Sequence, residues 1–352
     1  MDIRIAAIGT ANPPCRVAQS RIAELIGHHY ADVLSPRSMA VLQQVLAHPS
    51  IEARYASFDN ELQMLSLKDE DPDARIERFT KWSVELSARA VEQALTSAGL
   101  GVNDIGGLIV NTCTGYICPG IATYLVERLR LPSSLQVHDL VGSGCGGAVP
   151  NMQLGSQILM SDPRRPVVSV SVEVCSATYE MDNDMSLLIS NGIFGDGAAA
   201  AVLASDGDGP LVGPFANLYD PRFREDVRFV YKHGRLHNKI SVRLPKTVRR
   251  AVAPMIREYL AGQGLTVADV RHWAIHPGGD KILSELQEEL GLSDEQMAYS
   301  TAVLREYGNM SSPSVLFVLK RMLESGAVKK GEHVLVTAFG AGMSAYVTLL
   351  EM

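Results

Sequence analysis

Apolar residues fall along this chain in two alternating patterns: stripes that recur every three or four positions, and short unbroken runs. Val84, Ala88, Val91 and Leu95 are spaced by four, three and four, which predicts a helix over about 76–98, closed by Gly99. The run GLIVNT predicts a buried strand at 107–112, followed by a helix over about 120–130 and a strand near 135–141. A helix is expected over 146–160 and a strand, VVSVSVEV, over 167–174. The N-terminal MDIRIAAIGTANPP reads as a short strand running into a Pro-rich turn. Helices alternating with strands predict an α/β fold. The Val- and Ile-rich runs lack polar alternation, which predicts strands buried on both faces and a mostly parallel mixed sheet.

The same series of signals occurs twice. CGGAVPNMQLGSQILMS, RRPVVSVSVEV and FGDGAAAAVLAS follow one another in the first half. NMSSPSVLFVLKRMLES, KKGEHVLVTAF and FGAGMSAYVTLLE follow one another in the second. Each series reads as small-residue loop, helix, basic turn, strand, FGxG turn and final strand. GGLIVNTCTG (106–115) likewise parallels RHWAIHPGG (271–279), and the segment 175–193 is an insertion in the first copy only. Two pseudo-duplicated halves are therefore expected, 1–206 and 207–352, divided near the polar, Gly-rich SDGDGP at 205–210.

Composition narrows the chemistry. Hydrophobic residues make up 46% and charged residues 20% of 352 positions, the mix of a chain with a substantial core. The net charge of −7 and the lack of any block of Lys and Arg argue against a nucleic-acid or anionic-membrane surface. No signal peptide or membrane-spanning stretch is read, so a cytoplasmic location is expected. Five scattered Cys without a CxxC pair, and no HExxH, predict neither a disulfide framework nor a metal site.

GSGCGG at 142–147 has the spacing Gly142-x-Gly144-x-x-Gly147 and precedes a helix. A dinucleotide site would place this motif at the first strand–helix turn, with an acid about 20 residues on. Here it falls in the third unit, and the next strand offers no acid until Glu173. The alternative is that the loop presents Cys145 at a helix N-terminus, where free backbone N–H groups favour a thiolate. The duplication sharpens this reading. Asn309, in YGNMSSPSV, occupies the matching helix head of the second half, and His276, in AIHPGGD, follows the matching strand. Two halves related by a pseudo-two-fold would bring the helix heads together. Cys145, His276 and Asn309 would then supply a soft nucleophile, an imidazole and an amide donor.

Taken together, GSGCGG, IFGDGAAAAVL, AIHPGGDKIL and YGNMSSPSVLF resemble the bacterial type III polyketide synthases, the chalcone-synthase-like family of the thiolase fold. The resemblance spans nearly the whole chain, and CSATYEMD and VLREYGNMSS lean toward the branch that makes dihydroxyphenylacetyl-CoA from malonyl-CoA. It implies a layered αβαβα core and a homodimer. It also implies acyl-CoA and malonyl-CoA as substrates, with no separate cofactor. By resemblance, Cys145 carries the acyl chain as a thioester, and an imidazolium at His276 lowers its pKa. His276 and Asn309 hold the malonyl thioester carbonyl during decarboxylation. Phe194 orients the malonyl group, and Glu173, Thr178 and Ser311 line the substrate cavity. Iterative condensation and cyclisation to an aromatic or pyrone product would follow.

Several positions depart from the family pattern. The family's C-terminal GFGPG reads AFGAG, with Ala341 for Pro, a form shared with single-step 3-oxoacyl-ACP synthase III-like ketosynthases. Those enzymes, the alternative reading, carry HQAN where this chain has HPGG. Alignment over RLHNKISVRLP puts Val242 where the family has a second gatekeeper Phe. Cys118 stands where plant members place a Met that reaches into the partner subunit. Arg54 and Lys281 are candidates for CoA's phosphates, since the family's basic cluster in the early helices is not evident.

Overall fold

The computed structural model describes residues 1–352. In chain order the strands and helices are β1 Arg4–Ala11, β2 Cys15–Ala18, α1 Gln19–His29, α2 Pro36–Leu46, β3 Ala53–Ala56, α3 Pro72–Ala98, β4 Gly107–Thr112, α4 Ile121–Arg128 and β5 Gln136–Val141. There follow α5 Ala148–Ser161, β6 Val167–Glu173, α6 Met185–Ile193, β7 Gly197–Ala204, β8 Leu211–Tyr219, β9 Val227–Lys232, β10 Arg235–Ile240 and α7 Leu244–Gly262. The chain ends with β11 His272–Ile275, α8 Asp280–Leu290, α9 Asp294–Tyr307, α10 Ser314–Glu324, β12 His333–Gly340 and β13 Ser344–Glu351. Local signals set the boundaries. In α3 the Asp71 carboxylate accepts from Ala74 N at 2.8 Å, Pro72 opens the first turn, and left-handed Gly99 ends the helix. The helix expected at 146–160 begins instead with a helical turn at Gly144–Gly146, so Cys145 lies just ahead of α5.

Nine strands are hydrogen-bonded in the order β11-β12-β13-β8-β1-β7-β6-β4-β5. The repeat in the sequence is visible in this order: β12, β13 and β11 occupy one side as β6, β7 and β4 occupy the other. The two sides meet at β1 and β8 through one residue pair, Arg4 with Leu211. The expectation of a mostly parallel sheet is corrected. Three strand pairings are parallel and five antiparallel. The FGxG turn of the second half folds β12 directly back on β13. The first-half insertion returns β6 to β7, also antiparallel, so each FGxG strand reverses the sense its predecessor set.

Layering follows from what each helix can bury. α5 carries no charge and α10 keeps its three, Lys320, Arg321 and Glu324, to its C-terminal half; both are enclosed by residues of both sides, including Ala199, Ala201, Leu203, Val334, Val336 and Tyr346. They form a central helical layer. The amphipathic α3 and α4 cover the outer face of the β4–β7 side, and α7 and α8 cover that of the β11–β13 side. This is the five-layer αβαβα arrangement of the thiolase fold. A fourth, smaller core joins α1, α2 and the 58–67 segment to Leu188 of α6. No helix is long and apolar enough to cross a membrane.

Candidate active site

The turn that holds Cys145 is built by contacts from the opposite half. Gly144 adopts φ +57, and a Cβ there would lie 2.8 Å from Ala341 N. Gly340 packs just as closely: a Cβ would meet Ser143 O at 2.2 Å and Cys145 N at 2.9 Å. The second-half FGAG turn therefore presses on the nucleophile turn at a distance only glycine permits. Ala341 fits this packing without the ring its family counterpart would bring.

His276 and Asn309 reach the same cavity as Cys145, one from the end of β11 and the other from the turn after α9. His276 is 1% and Asn309 2% exposed. The His276 ring is steadied edge-on by Phe339 at 5.3 Å, and its Nδ1 is buried without a hydrogen-bond partner. Asn309 is fixed twice: Nδ2 donates to Gly278 O at 3.1 Å, and Oδ1 accepts from Ser311 N at 2.8 Å. Ser311 Oγ donates to Cys145 Sγ at 3.3 Å. Ser311 itself is a left-handed residue, φ 60, third in the NMSS turn.

Burial pushes the Cys145 thiol up to about 12, tempered by bonds from Ser311 and Asn309, and pushes the His276 imidazole down to about 3. Both shifts are the cost of a lone charge in a dry site. A proton passed from Cys145 to His276 creates two opposite charges together, and their attraction offsets that cost. The arrangement suits a nucleophile activated by its neighbour.

Beneath the sulfur lies a polar floor. Glu173 is fully buried at the end of β6 and its carboxyl pKa is raised by desolvation. It accepts from Ser312 Oγ at 2.7 Å, Cys113 N at 2.9 Å and Thr114 Oγ1 at 3.0 Å. Cys113 Sγ approaches Glu173 at 3.3 Å and Ser311 Oγ at 3.5 Å, so a second thiol sits one side chain from Cys145. No group of three or more His, Cys, Asp or Glu side chains is assembled to hold a metal ion.

Cys145, His276, Asn309 and Phe194 line a cavity of about 400 Å³ whose other walls are largely apolar side chains of α2, α6 and α7. A smaller inner pocket of about 30 Å³ lies behind Cys145 and Phe194 and is lined by Cys113, Thr178, Cys175 and Ser311. The structure thus brings Cys145, His276, Asn309, Phe194, Thr178 and Ser311 together, with Glu173 one layer below. Val242 is placed differently. It is 72% exposed and lines the outer cavity away from the inner pocket. Ile240 and Val227 instead line both spaces and stand at their junction. Val242 thus lines the substrate cavity as expected but not the junction, which Ile240, two residues earlier at the end of β10, occupies with Val227. Cys118 is exposed and lines neither space in this chain.

The reading of Arg54 as a phosphate ligand is also corrected. Arg54 is 7% exposed, and its guanidinium donates to Gln19 Oε1 at 2.8 Å, Asn191 O at 2.8 Å and Phe194 O at 2.6 Å. Desolvation lowers its pKa to about 10. It braces the Phe194 segment and does not line the outer cavity. Lys281 does line the outer cavity as an exposed cation.

Residues 14–209 match the family described as FAE1/type III polyketide synthase-like protein, which is more than half of the chain. The chain belongs to the type III polyketide synthases. Residues 229–351 match chalcone and stilbene synthases, C-terminal domain. Among relatives of this synthase, a 3,5-dihydroxyphenylacetyl-CoA synthase from Amycolatopsis balhimycina is 28% identical across 99% of this chain and 92% of its own length. A 1,3,6,8-tetrahydroxynaphthalene synthase from Streptomyces peucetius subsp. caesius is 30% identical across 99% and 92%. The crystal structure of PKS-I from the brown alga Ectocarpus siliculosus superposes with a TM-score of 0.90 at 26% identity, over 100% of this chain and 98% of that one. As a type III polyketide synthase, this acyltransferase condenses malonyl-CoA iteratively and cyclises the product. The single-step ketosynthase reading suggested by AFGAG gives way to this family match.

Proposed function

We propose that Cys145, His276 and Asn309 are the catalytic residues of this synthase. The observation that carries the assignment is that all three line one cavity, with Cys145 on a turn of the first half and the other two on turns of the second. His276 takes the Cys145 proton as the thiolate attacks an acyl-CoA, and CoA leaves as the thiol. A malonyl-CoA then enters with its thioester carbonyl oxygen toward His276 and Asn309. Its terminal C–C bond breaks, CO₂ departs, and the electron pair forms an enolate that the two donors stabilise. The enolate carbon attacks the acyl-Cys145 carbonyl, the C–S bond breaks, and the extended chain leaves on CoA ready to reload. Phe194 sets the malonyl group, and Ile240 with Val227 sets the width of the passage behind Cys145. No metal or prosthetic group enters these steps.

The synthase acts as a homodimer in this reading. Strand β5 supports it: an edge strand exposed along its length, with Val141 uncovered, whereas the opposite edge strand β11 is buried. The test of function is mass spectrometry of products from malonyl-CoA alone and with acyl-CoA starters, beside a Cys145→Ala control. Cyclic products holding two or more malonyl units, absent in the control, are expected. Single-condensation products would overturn the iterative reading, and activity in the control would overturn Cys145.

A further inference from the structure

We propose that Lys239 and Arg235 are positioning residues that set how many malonyl units this synthase adds, by clasping the β9–β10 hairpin to the 175–193 segment; the proposal rests on the catalytic assignment above, with the chain growing on Cys145. The hairpin forms one wall of the space around the nucleophile. Side chains alternate along its strands, so Asn238 and Ile240 share a face with their cross-strand partners Phe229 and Val227. All four line the inner pocket, which Cys145 also lines, and Val227 and Ile240 line the outer cavity as well. Few main-chain bonds hold this wall. The hairpin is a two-stranded sheet apart from the nine-stranded one, and such a pair is marginal alone. One main-chain hydrogen bond ties it to the rest of the chain, Gly342 N donating to Val227 O at 2.9 Å. At that base Val227 and Ile240 also pack against the α7–α8 core.

Charge holds β10 along its length. Residues 227–240 carry Arg228, Lys232, Arg235 and Lys239 and no acid, whereas 175–193 carries Glu180, Asp182 and Asp184 and no Lys or Arg. The opposite charges meet at two points. Lys239 Nζ pairs with Asp184. Arg235 Nη1 donates to Glu180 at 2.6 Å, and its Nη2 donates to Glu70 O at 2.8 Å. No side chain of the two pairs is more than 31% exposed, so water and salt screen them less than surface pairs. Both acids are fixed from the other side. Asp184 accepts from Ser186 N at 2.8 Å at the head of α6, and Glu180 lies 3.3 Å from Arg75. Ser186 Oγ adds a bond to Ile240 O at 3.1 Å. Lys239 and Arg235 line neither the cavity nor the inner pocket, so they act on the growing chain only through the wall. The 30 Å³ of the inner pocket seats roughly two to three methylene-sized groups at about 10–15 Å³ each, so a small retreat of one wall is a large fraction of its room.

The experiment compares Lys239→Met, Arg235→Met and Lys239→Arg with the wild type. It reads the ratio of products by number of malonyl units from mass spectrometry, beside CO₂ release from malonyl-CoA and circular dichroism. In each Met variant the share of product holding one malonyl unit more than the main wild-type product is expected to rise about three-fold, the worth of one ion pair. CO₂ release should stay within about two-fold, since neither residue touches a group at the sulfur. Lys239→Arg keeps the charge opposite Asp184 and should return the wild-type ratio. An unmoved ratio in both Met variants, or a shift to fewer malonyl units, would overturn the proposal. So would a Lys239→Arg protein that behaves as Lys239→Met does, or a loss of CO₂ release in step with the change in ratio, the mark of a merely structural role. Decarboxylation also separates the two levels of the argument. If the wild type releases CO₂ and the ratio does not move, only the clasp falls; if the wild type releases none, the catalytic assignment falls with it.

Discussion

Phe194 and Asn309 ride on one parallel backbone bridge. Asn309 N donates to Ile193 O at 2.9 Å and Gly195 N donates to Asn309 O at 3.0 Å. The Phe194 ring and the Asn309 amide are therefore set at a fixed spacing, although 115 positions of chain separate their numbers. The side chains can be removed without cutting the bridge, because it is made by main chain. Asn309→Ala is expected to lower malonyl-CoA decarboxylation about 10²–10³-fold, as loss of an oxyanion donor does. Phe194→Ala should lower it about ten-fold by misplacing the substrate. Radiolabelled CO₂ release checks both, with circular dichroism to confirm that the fold is kept.

Arg54 and Lys281 separate two roles for a cation. Arg54→Met strips three buried acceptors of their donor and is expected to cost about 2–4 kcal/mol of stability. It should lower kcat by loosening Phe194 while leaving the KM for malonyl-CoA unchanged. Lys281→Ala is expected to do the reverse. KM should rise about three- to five-fold, less at high salt, with kcat intact, the size of an exposed ion pair. A rise in KM with Arg54→Met would return that residue to the phosphate site.

Activation of Cys145 depends on a partner that takes its proton. The thiol alone is pushed up to about 12 by burial. His276→Ala is therefore expected to slow iodoacetamide alkylation of Cys145 at pH 7 by more than about ten-fold, and the lost rate should return as pH is raised. Peptide mapping of the alkylated site keeps Cys113 and Cys175 out of the count.

In a Cys145→Ala protein the imidazole has no thiol with which to exchange a proton, so His276 titrates as a lone buried base. Its pKa is lowered from 6.5 to about 3. Between those values the unfolded chain binds a proton that the native protein does not. Stability from this residue is thus complete above 6.5 and is lost as pH falls through the window, at about 1.4 kcal/mol per pH unit. Urea melts at pH 7, 5 and 4 should show that slope, and adding His276→Gln should remove its share. An unchanged slope would mean that the ring is hydrated in the native state.

The sequence disclosed the layers and three side chains that line one cavity, Cys145, His276 and Asn309, because repetition and periodicity are local signals. VVSVSVE, GLIVNT and the α3 stripe settle within a residue or a few of their expected limits. It did not disclose Arg54, since a lone arginine is ordinarily taken to be at the surface, and only the fold shows three acceptors converging on it. Ile240 gave no signal because gaps in a hairpin region leave open which residue reaches the junction of the two spaces until its pairing with β9 is seen. Cys113 gave no signal by itself. Its place beside Glu173 follows from the pairing of β4 with β6, and its place beside Ser311 from contact between the halves.

The glycine-tight seating of the FGAG turn on the Cys145 turn gives this enzyme a built-in proofreading of its own assembly. The nucleophile's loop and the donors belong to opposite sides of a sheet that is continuous through a single β1–β8 residue pair. A slip of half an ångström along that seam leaves every helix and strand intact yet parts the thiol from the groups that make it useful. Turnover is accordingly the most sensitive gauge of whether the two sides are docked. Mild denaturant should silence the enzyme well before its far-ultraviolet dichroism changes.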